Sequence, residues 1–244
     1  MNQLYRPTNI IVDEQNHSLI IADSMNKRVI RWFNDQQTQE ILIENIYCWG
    51  LAMDKNRFLY VTDTEKNEVR KWKIEKINEN KEGTLVAGGN GKGNQLNQFN
   101  HPTFIFVDEN RSVYVSDSKN HRVMKWQRDG NEGIIVAGGN DEGINLNQLS
   151  HPRGLVVDQM GHIYIADWGN HRIVRWGKEN GEGEIIVGGN RKGHGLNQLN
   201  SPSGLSFDLE GNLYVAEWRN HRIIQFDKFV EKTFNGKRKK ISNF

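Results

Sequence analysis

The sequence contains one cysteine, Cys48, and four prolines in 244 residues. A single thiol cannot close an internal disulfide, and without a second it cannot supply the thiolate pair of a zinc finger or a RING-type site. Cysteine redox chemistry and structural zinc are therefore excluded. Long apolar runs are also missing. Stretches such as Phe104 to Val107 or Gly154 to Val157 fall far below the roughly 18 residues that a membrane-spanning helix needs, so no membrane partner is expected. Met1 to Thr8 is polar and reaches a proline at once, without the basic and apolar segments of a secretory signal. A cytoplasmic location is expected, unless the chain is a mature piece of a longer one. Charge of one sign is scarce too, with 32 basic against 30 acidic residues. The tail from Glu231 to Phe244 holds five bases and one acid, which leaves residues 1 to 230 slightly acidic. A body so close to neutral argues against a nucleic-acid binder built on bulk charge.

What the sequence does have is repetition. Pro7, Pro102, Pro152 and Pro202 are each followed six residues later by Asp13, Asp108, Asp158 and Asp208. A second acid comes next, at Asp23, Asp117, Asp167 and Glu217, and nine residues beyond each lies Trp32, Trp126, Trp176 or Phe226. Asp54, Asp63 and Trp72 fit the same frame without the proline, which makes five units with aromatic spacings of 40, 54, 50 and 50 residues. That period suits propeller blades and is too long for leucine-rich or ankyrin repeats. Within the fourth unit, Gly154 to Asp158, Ile163 to Asp167, Arg172 to Trp176 and Glu184 to Val187 read as strands separated by turn residues. No window carries a helical period. The pattern predicts an all-β fold, a β-propeller of five four-stranded blades over residues 1–229, at about 5–45, 46–90, 100–140, 150–190 and 200–229. A basic tail over 230–244 is expected to be disordered.

The runs from Tyr114 to Val123, Tyr164 to Ile173 and Tyr214 to Ile223 each carry Asn-His-Arg after the second acid. They resemble the NHL repeat, and the resemblance extends over the chain to about Phe226. The second unit departs furthest, with Lys66-Asn67-Glu68 at the motif and Tyr47-Cys48-Trp49-Gly50 in place of the linker. The fifth unit supplies three strands, and any fourth is expected to be weak, over Val230 to Phe234. The last blade is therefore expected to be incomplete, in a five-bladed ring or in a fragment of a six-bladed one. An open strand at Arg222 to Phe226 would allow β-augmentation or self-association.

A residue that recurs in blade after blade serves each blade alike, whereas a catalytic centre needs different groups converging on one point. On that ground Asp117, Asp167, Asn120, Asn170, Asn220, His121, His171 and His221 are read as turn-closing, the repeated aromatics as core, and the Gly-Asn linkers as crossovers. The informative positions are those where the frame is kept and the residue changes. After the proline position stand Thr8, Trp49, Thr103, Arg153 and Ser203, and after the second acid stand Ser24, Thr64, Ser118, Trp168 and Trp218. Trp and Arg are enriched at binding hot spots, so Trp49, Arg153, Trp168 and Trp218, with Thr8, Thr103 and Ser203, form the expected ligand-binding face. The NHL resemblance implies a non-catalytic scaffold for proteins or peptides, in a family associated with ubiquitin ligases, with no cofactor or metal. Two alternatives stand beside it. An RNA-binding face would draw on Arg6, Lys27, Lys66, Arg153, Lys192 and Arg219, offset by Asp141, Glu142 and Glu65. A lyase- or lactonase-like enzyme would hold a metal in the channel, where the five positions after the proline offer poor ligands and His101 and His151 stand one residue away.

Overall fold

The computed structural model describes residues 3–35, 37–177, 181–195, 197–227 and 241–242. Five four-stranded antiparallel sheets follow one another along the chain. The first holds β1 (Asn9–Asp13), β2 (Ser18–Asp23), β3 (Arg28–Phe33) and β4 (Thr38–Glu44). The second holds β5 (Cys48–Met53), β6 (Phe58–Asp63), β7 (Glu68–Lys73) and β8 (Thr84–Gly88). The third comprises β9 (Pro102–Val107), β10 (Val113–Asp117), β11 (Arg122–Trp126) and β12 (Ile134–Gly138), and the fourth β13 (Pro152–Val157), β14 (Ile163–Asp167), β15 (Arg172–Trp176) and β16 (Gly183–Gly188). In the fifth, β17 (Pro202–Phe207), β18 (Leu213–Glu217) and β19 (Arg222–Phe226) precede a two-residue β20 (Ile241–Ser242). Each sheet pairs its strands in sequence order, the meander of a propeller blade.

The final blade is the incomplete one, with three full strands. Its short fourth strand pairs Ile223 with Ser242 and Ile224 with Ile241, so β19 is not left wholly open as the sequence suggested. The expected fourth strand at Val230 to Phe234 lies outside the described residues, as does nearly all of the basic tail. Contacts divide the chain into two compact units, Met1–Lys119 with Met124–Ile135, and Asn120–Val123 with Val136–Phe244.

Burial follows from strand order. β10 and β14 are buried along their whole length, so both faces must be apolar or satisfied; each opens on a β-branched and aromatic run, Val113-Tyr114-Val115 or Ile163-Tyr164-Ile165, and ends on a buried aspartate. Fourth strands are half exposed, and β12 begins with two exposed isoleucines, Ile134 and Ile135. In unit 1 Trp72 and Trp126 are each buried in an apolar cluster, and in unit 2 Phe226 closes a cluster with Tyr164, Leu199 and Val215. First strands approach closely. A Cβ on Gly50 would lie 2.5 Å from the Thr103 carbonyl oxygen, and one on Gly154 would lie 2.7 Å from that of Ser203.

Candidate functional site

The repeated polar residues form a hydrogen-bonded frame. The acid ending the second strand accepts a backbone N–H from the segment preceding the first strand, in Tyr5 to Asp23, Asn100 to Asp117, Ser150 to Asp167 and Asn200 to Glu217, each at 2.7 Å. These carboxylates are buried, so each needs several donors to offset lost hydration. For Asp167 they come from Asn170 Nδ2 at 2.8 Å and Arg172 Nε at 2.7 Å. The same Asn170 and Arg172 also donate to the linker carbonyls of Gly143, Ile144, Asn145 and Gln148, tying the second-to-third-strand turn to the crossover.

The motif histidine occupies the left-handed region, with φ 51° at His121 and 54° at His171, a conformation that His and Asn tolerate better than most side chains. There its ring reaches the residue before the next first strand. His171 Nδ1 accepts the Ser201 N–H at 3.1 Å, and His121 Nδ1 accepts the His151 N–H at 3.2 Å. In the second blade Asn67 Oδ1 does the same for the His101 N–H at 2.9 Å.

One blade departs from this pattern. The linker positions aligned with Glu142 are Lys92 and Lys192, and the position of His151 is Ser201 in the next blade. In the described residues His121, Glu142 and His151 bring their ligand atoms within 4.8 Å of one another. One hydrogen bond reaches the carboxylate, from Ser150 Oγ to Oε1 at 2.7 Å; His151 Nδ1 lies 3.4 Å from both Oε1 and Ser150 Oγ, and His121 Nε2 lies 3.9 Å from Oε2. The two imidazoles stand perpendicular with centroids 4.6 Å apart. Glu142 reaches solvent, with its side chain 54% exposed, while His121 is largely covered at 17%. The Ser150 hydrogen bond, and after it the neighbouring histidines, hold the Glu142 carboxyl below the ordinary glutamate range. Burial, seconded by His151, pulls His121 below the ordinary imidazole range. At neutral pH the site therefore holds an ionised carboxylate and a neutral His121. Because His121 Nδ1 is an acceptor, the ring's proton is on Nε2 and faces Glu142. A metal ligand needs that nitrogen bare, so the trio does not fit a three-ligand metal site while the His151 N–H bond stands.

The residues expected to form the ligand face fall into two groups. The Arg153 guanidinium carbon lies over the Trp168 ring, 4.4 Å from its centroid, and Trp168 meets the His151 ring edge-on at 6.3 Å, so both adjoin the trio. Burial draws the Arg153 guanidinium down to about 10. Trp49 packs edge-on against His101 at 5.5 Å, and Trp218 is 52% exposed beside Arg219. The three hydroxyls tie strands together. Thr8 donates to the Trp49 carbonyl at 2.8 Å, the buried Thr103 to Ser116 at 3.2 Å and Ser203 to Ala216 at 3.3 Å. Sequence comparison of the blades missed Glu142 and the second role of His121. The signal was present in the linkers, where one acid replaces two lysines. Clefts of 540 Å³ beside His162, Arg175 and Glu184, and of 640 Å³ beside Glu14 and His17, share no residue with the trio.

The NHL repeat is matched at residues 99–126, 149–176 and 199–226, the third to fifth blades. No curated protein matches the sequence. Among solved structures, a gluconolactonase of Xanthomonas campestris is similar with a TM-score of 0.70 at 17% identity, over 93% of this chain and 74% of that one. An auxiliary nutrient binding protein of Bacteroides thetaiotaomicron gives 0.71 at 17% identity, over 91% of this chain and 59% of that one. A catalytically inactive virginiamycin B lyase of Staphylococcus aureus, solved with quinupristin, gives 0.63 at 12% identity, over 99% and 71%. At such identities the likeness is one of fold, and it is a fold that carries lactonases and lyases.

The non-catalytic scaffold expected from the sequence, with its ubiquitin-ligase association, is overturned here. Its premise was that repeated residues serve each blade alike, yet His121 meets Glu142 and His151, which no other described blade combines, so different groups do converge on one point. No helix among the described residues is long and apolar enough to cross a membrane. With one strand order in all five sheets, the chain is a β-propeller, and its third to fifth blades are NHL repeats.

Proposed function

We propose that this propeller is an enzyme that opens cyclic esters by hydrolysis at His121, Glu142 and His151. The observation that carries the reading is the convergence of these three groups at the junction of the third and fourth blades, where the linker replaces lysine by Glu142. A carboxylate held below its ordinary pKa is a weak base, so Glu142 serves by orienting its neighbour. Its negative charge, 3.4 Å from His151 Nδ1, keeps the ring proton on that nitrogen and leaves Nε2 as the general base. His151 takes a proton from water as the water oxygen bonds to the ester carbon. The carbonyl π pair moves to its oxygen, which accepts the His121 Nε2–H. The oxyanion pair then re-forms the carbonyl as the ring C–O bond breaks, and that bond's pair stays on the leaving oxygen, which takes the proton back from His151. The products sum to the ester plus one water. Arg153 and Trp168 form the adjoining wall against which the substrate packs.

Elimination is the second reading, favoured by the likeness to the lyase fold: His151 would remove a proton from the carbon next to the breaking C–O bond. Incubation with gluconolactone, dihydrocoumarin and quinupristin in ¹⁸O-labelled water separates the two. Hydrolysis places the label in the product, elimination leaves it unlabelled and unsaturated, and no turnover of any of them contradicts the proposal.

A further inference from the structure

Two further departures from the repeat stand beside Glu142. Where the other blades carry Met25, Glu65, Lys119 and Arg219 after the residue following the second acid, the fourth carries Gly169. Two residues before the proline the aligned residues are Tyr5, Asn100 and Asn200, and here Ser150. These two small residues are in contact. Gly169 N–H donates to the Ser150 carbonyl at 2.9 Å, and a Cβ on Gly169 would fall 2.1 Å from Ser150 Oγ and 2.8 Å from its Cβ. Gly169 has an ordinary negative φ, so backbone conformation does not require glycine there; the space taken by Ser150 does. Ser150 is itself buried, and its hydroxyl spends its one proton on Glu142 Oε1.

We infer that Ser150 is a positioning residue that fixes the Glu142 carboxylate between the two imidazoles, and that Gly169 is the space that lets it do so. The inference rests on the catalytic reading of the trio. Ser150 reaches Glu142 from a rigid point, because its own N–H is held by the buried Asp167 carboxylate. Without that hydroxyl the exposed side chain of Glu142 would be free to turn into water, and His151 Nδ1 would lose both oxygens that lie 3.4 Å from it, Ser150 Oγ and Glu142 Oε1. An alanine at 169 acts on the same bond from behind, by displacing the hydroxyl while leaving it in the chain.

The test is an NMR titration of the Glu142 carboxyl carbon in the whole protein, in wild type, Ser150→Ala and Gly169→Ala. The titratable groups facing Glu142 are His121 on the β10–β11 turn, His151 ahead of β13 and Asp141 beside it on the linker, and all remain in both variants. The Glu142 midpoint is expected to rise in both, because each removes the hydrogen bond that favours the ionised form. With dihydrocoumarin as probe, kcat is expected to fall between about ten- and a hundredfold with little change in KM. A Glu142 midpoint unchanged in Ser150→Ala, or unchanged in a folded Gly169→Ala, would overturn the inference. Should Gly169→Ala fail to fold, Ser150→Ala and Ser150→Cys decide it alone. The titration needs no substrate, so a shifted midpoint in a protein that opens no cyclic ester would uphold the positioning and sink the enzymatic reading.

Discussion

The His151 backbone N–H donates to Nδ1 of His121 at 3.2 Å, and this one contact fixes which imidazole nitrogen carries the proton. In the second blade the same contact is made by Asn67 Oδ1. Asparagine at 121 would therefore keep the structural bond and remove the Nε2–H donor. His121→Asn is expected to fold with a stability within about 1 kcal/mol of wild type and to lose activity by a factor on the order of a hundred or more. His171→Asn, at the aligned position away from the trio, is expected to keep both. Equal loss of activity in the two variants would mean that His121 acts only as a turn.

Stability should fall on mild acidification. His121 and His171 are both held below the ordinary 6.5, burial being the first cause in each. The unfolded chain takes up these protons first, so the stabilisation is complete above 6.5 and is lost as pH drops from there toward the lowered folded values. Melting temperatures measured from pH 7.5 to 5 should decline, and should decline less in the double variant His121→Asn, His171→Asn. An identical decline would assign the acid sensitivity to other groups.

Cys48 should be chemically silent in the folded protein. Its side chain is fully buried, its Sγ lies 3.2 Å from the Arg28 carbonyl oxygen, and burial pushes the thiol up to about 12. Thiolate is the reactive form. A chromogenic disulfide reagent is expected to modify Cys48 only after denaturant is added; prompt native-state reaction would contradict the packing of β5.

The close approach of first strands gives a steric test. Gly154→Ala places a methyl 2.7 Å from the Ser203 carbonyl oxygen, whereas at Gly177 the nearest atom to such a methyl among the described residues is 3.8 Å away. Denaturant unfolding should show a loss of about 1–3 kcal/mol for the first and less than about 0.5 kcal/mol for the second. Equal effects would mean that β13 and β17 do not pack as described.

The propeller was legible because its signal is periodic: an acid and an aromatic nine residues apart recur often enough that five blades can be counted without any tertiary information. Arg153 and Trp168 were legible as departures at positions the frame defines, and they do adjoin the trio. Glu142 was not, because it lies in a crossover whose glycines and asparagines drew attention to backbone geometry. His121 was hidden by its own repetition. What distinguishes it from His171 is the residue its second nitrogen faces, and that depends on a neighbouring loop.

The central claim is that Glu142 makes this blade catalytic, and the repeat itself supplies the sharpest variant. Glu142→Lys installs the residue that the other two linkers carry at Lys92 and Lys192, so the fold should tolerate it. The decisive measurement is the rate of cyclic-ester opening by wild type and Glu142→Lys, followed by base uptake at constant pH in the presence of a chelator. The account requires turnover by wild type that persists with the chelator and falls at least about a hundredfold in a folded Glu142→Lys. Turnover that survives Glu142→Lys, or that vanishes with the chelator and returns with a divalent ion, would contradict it.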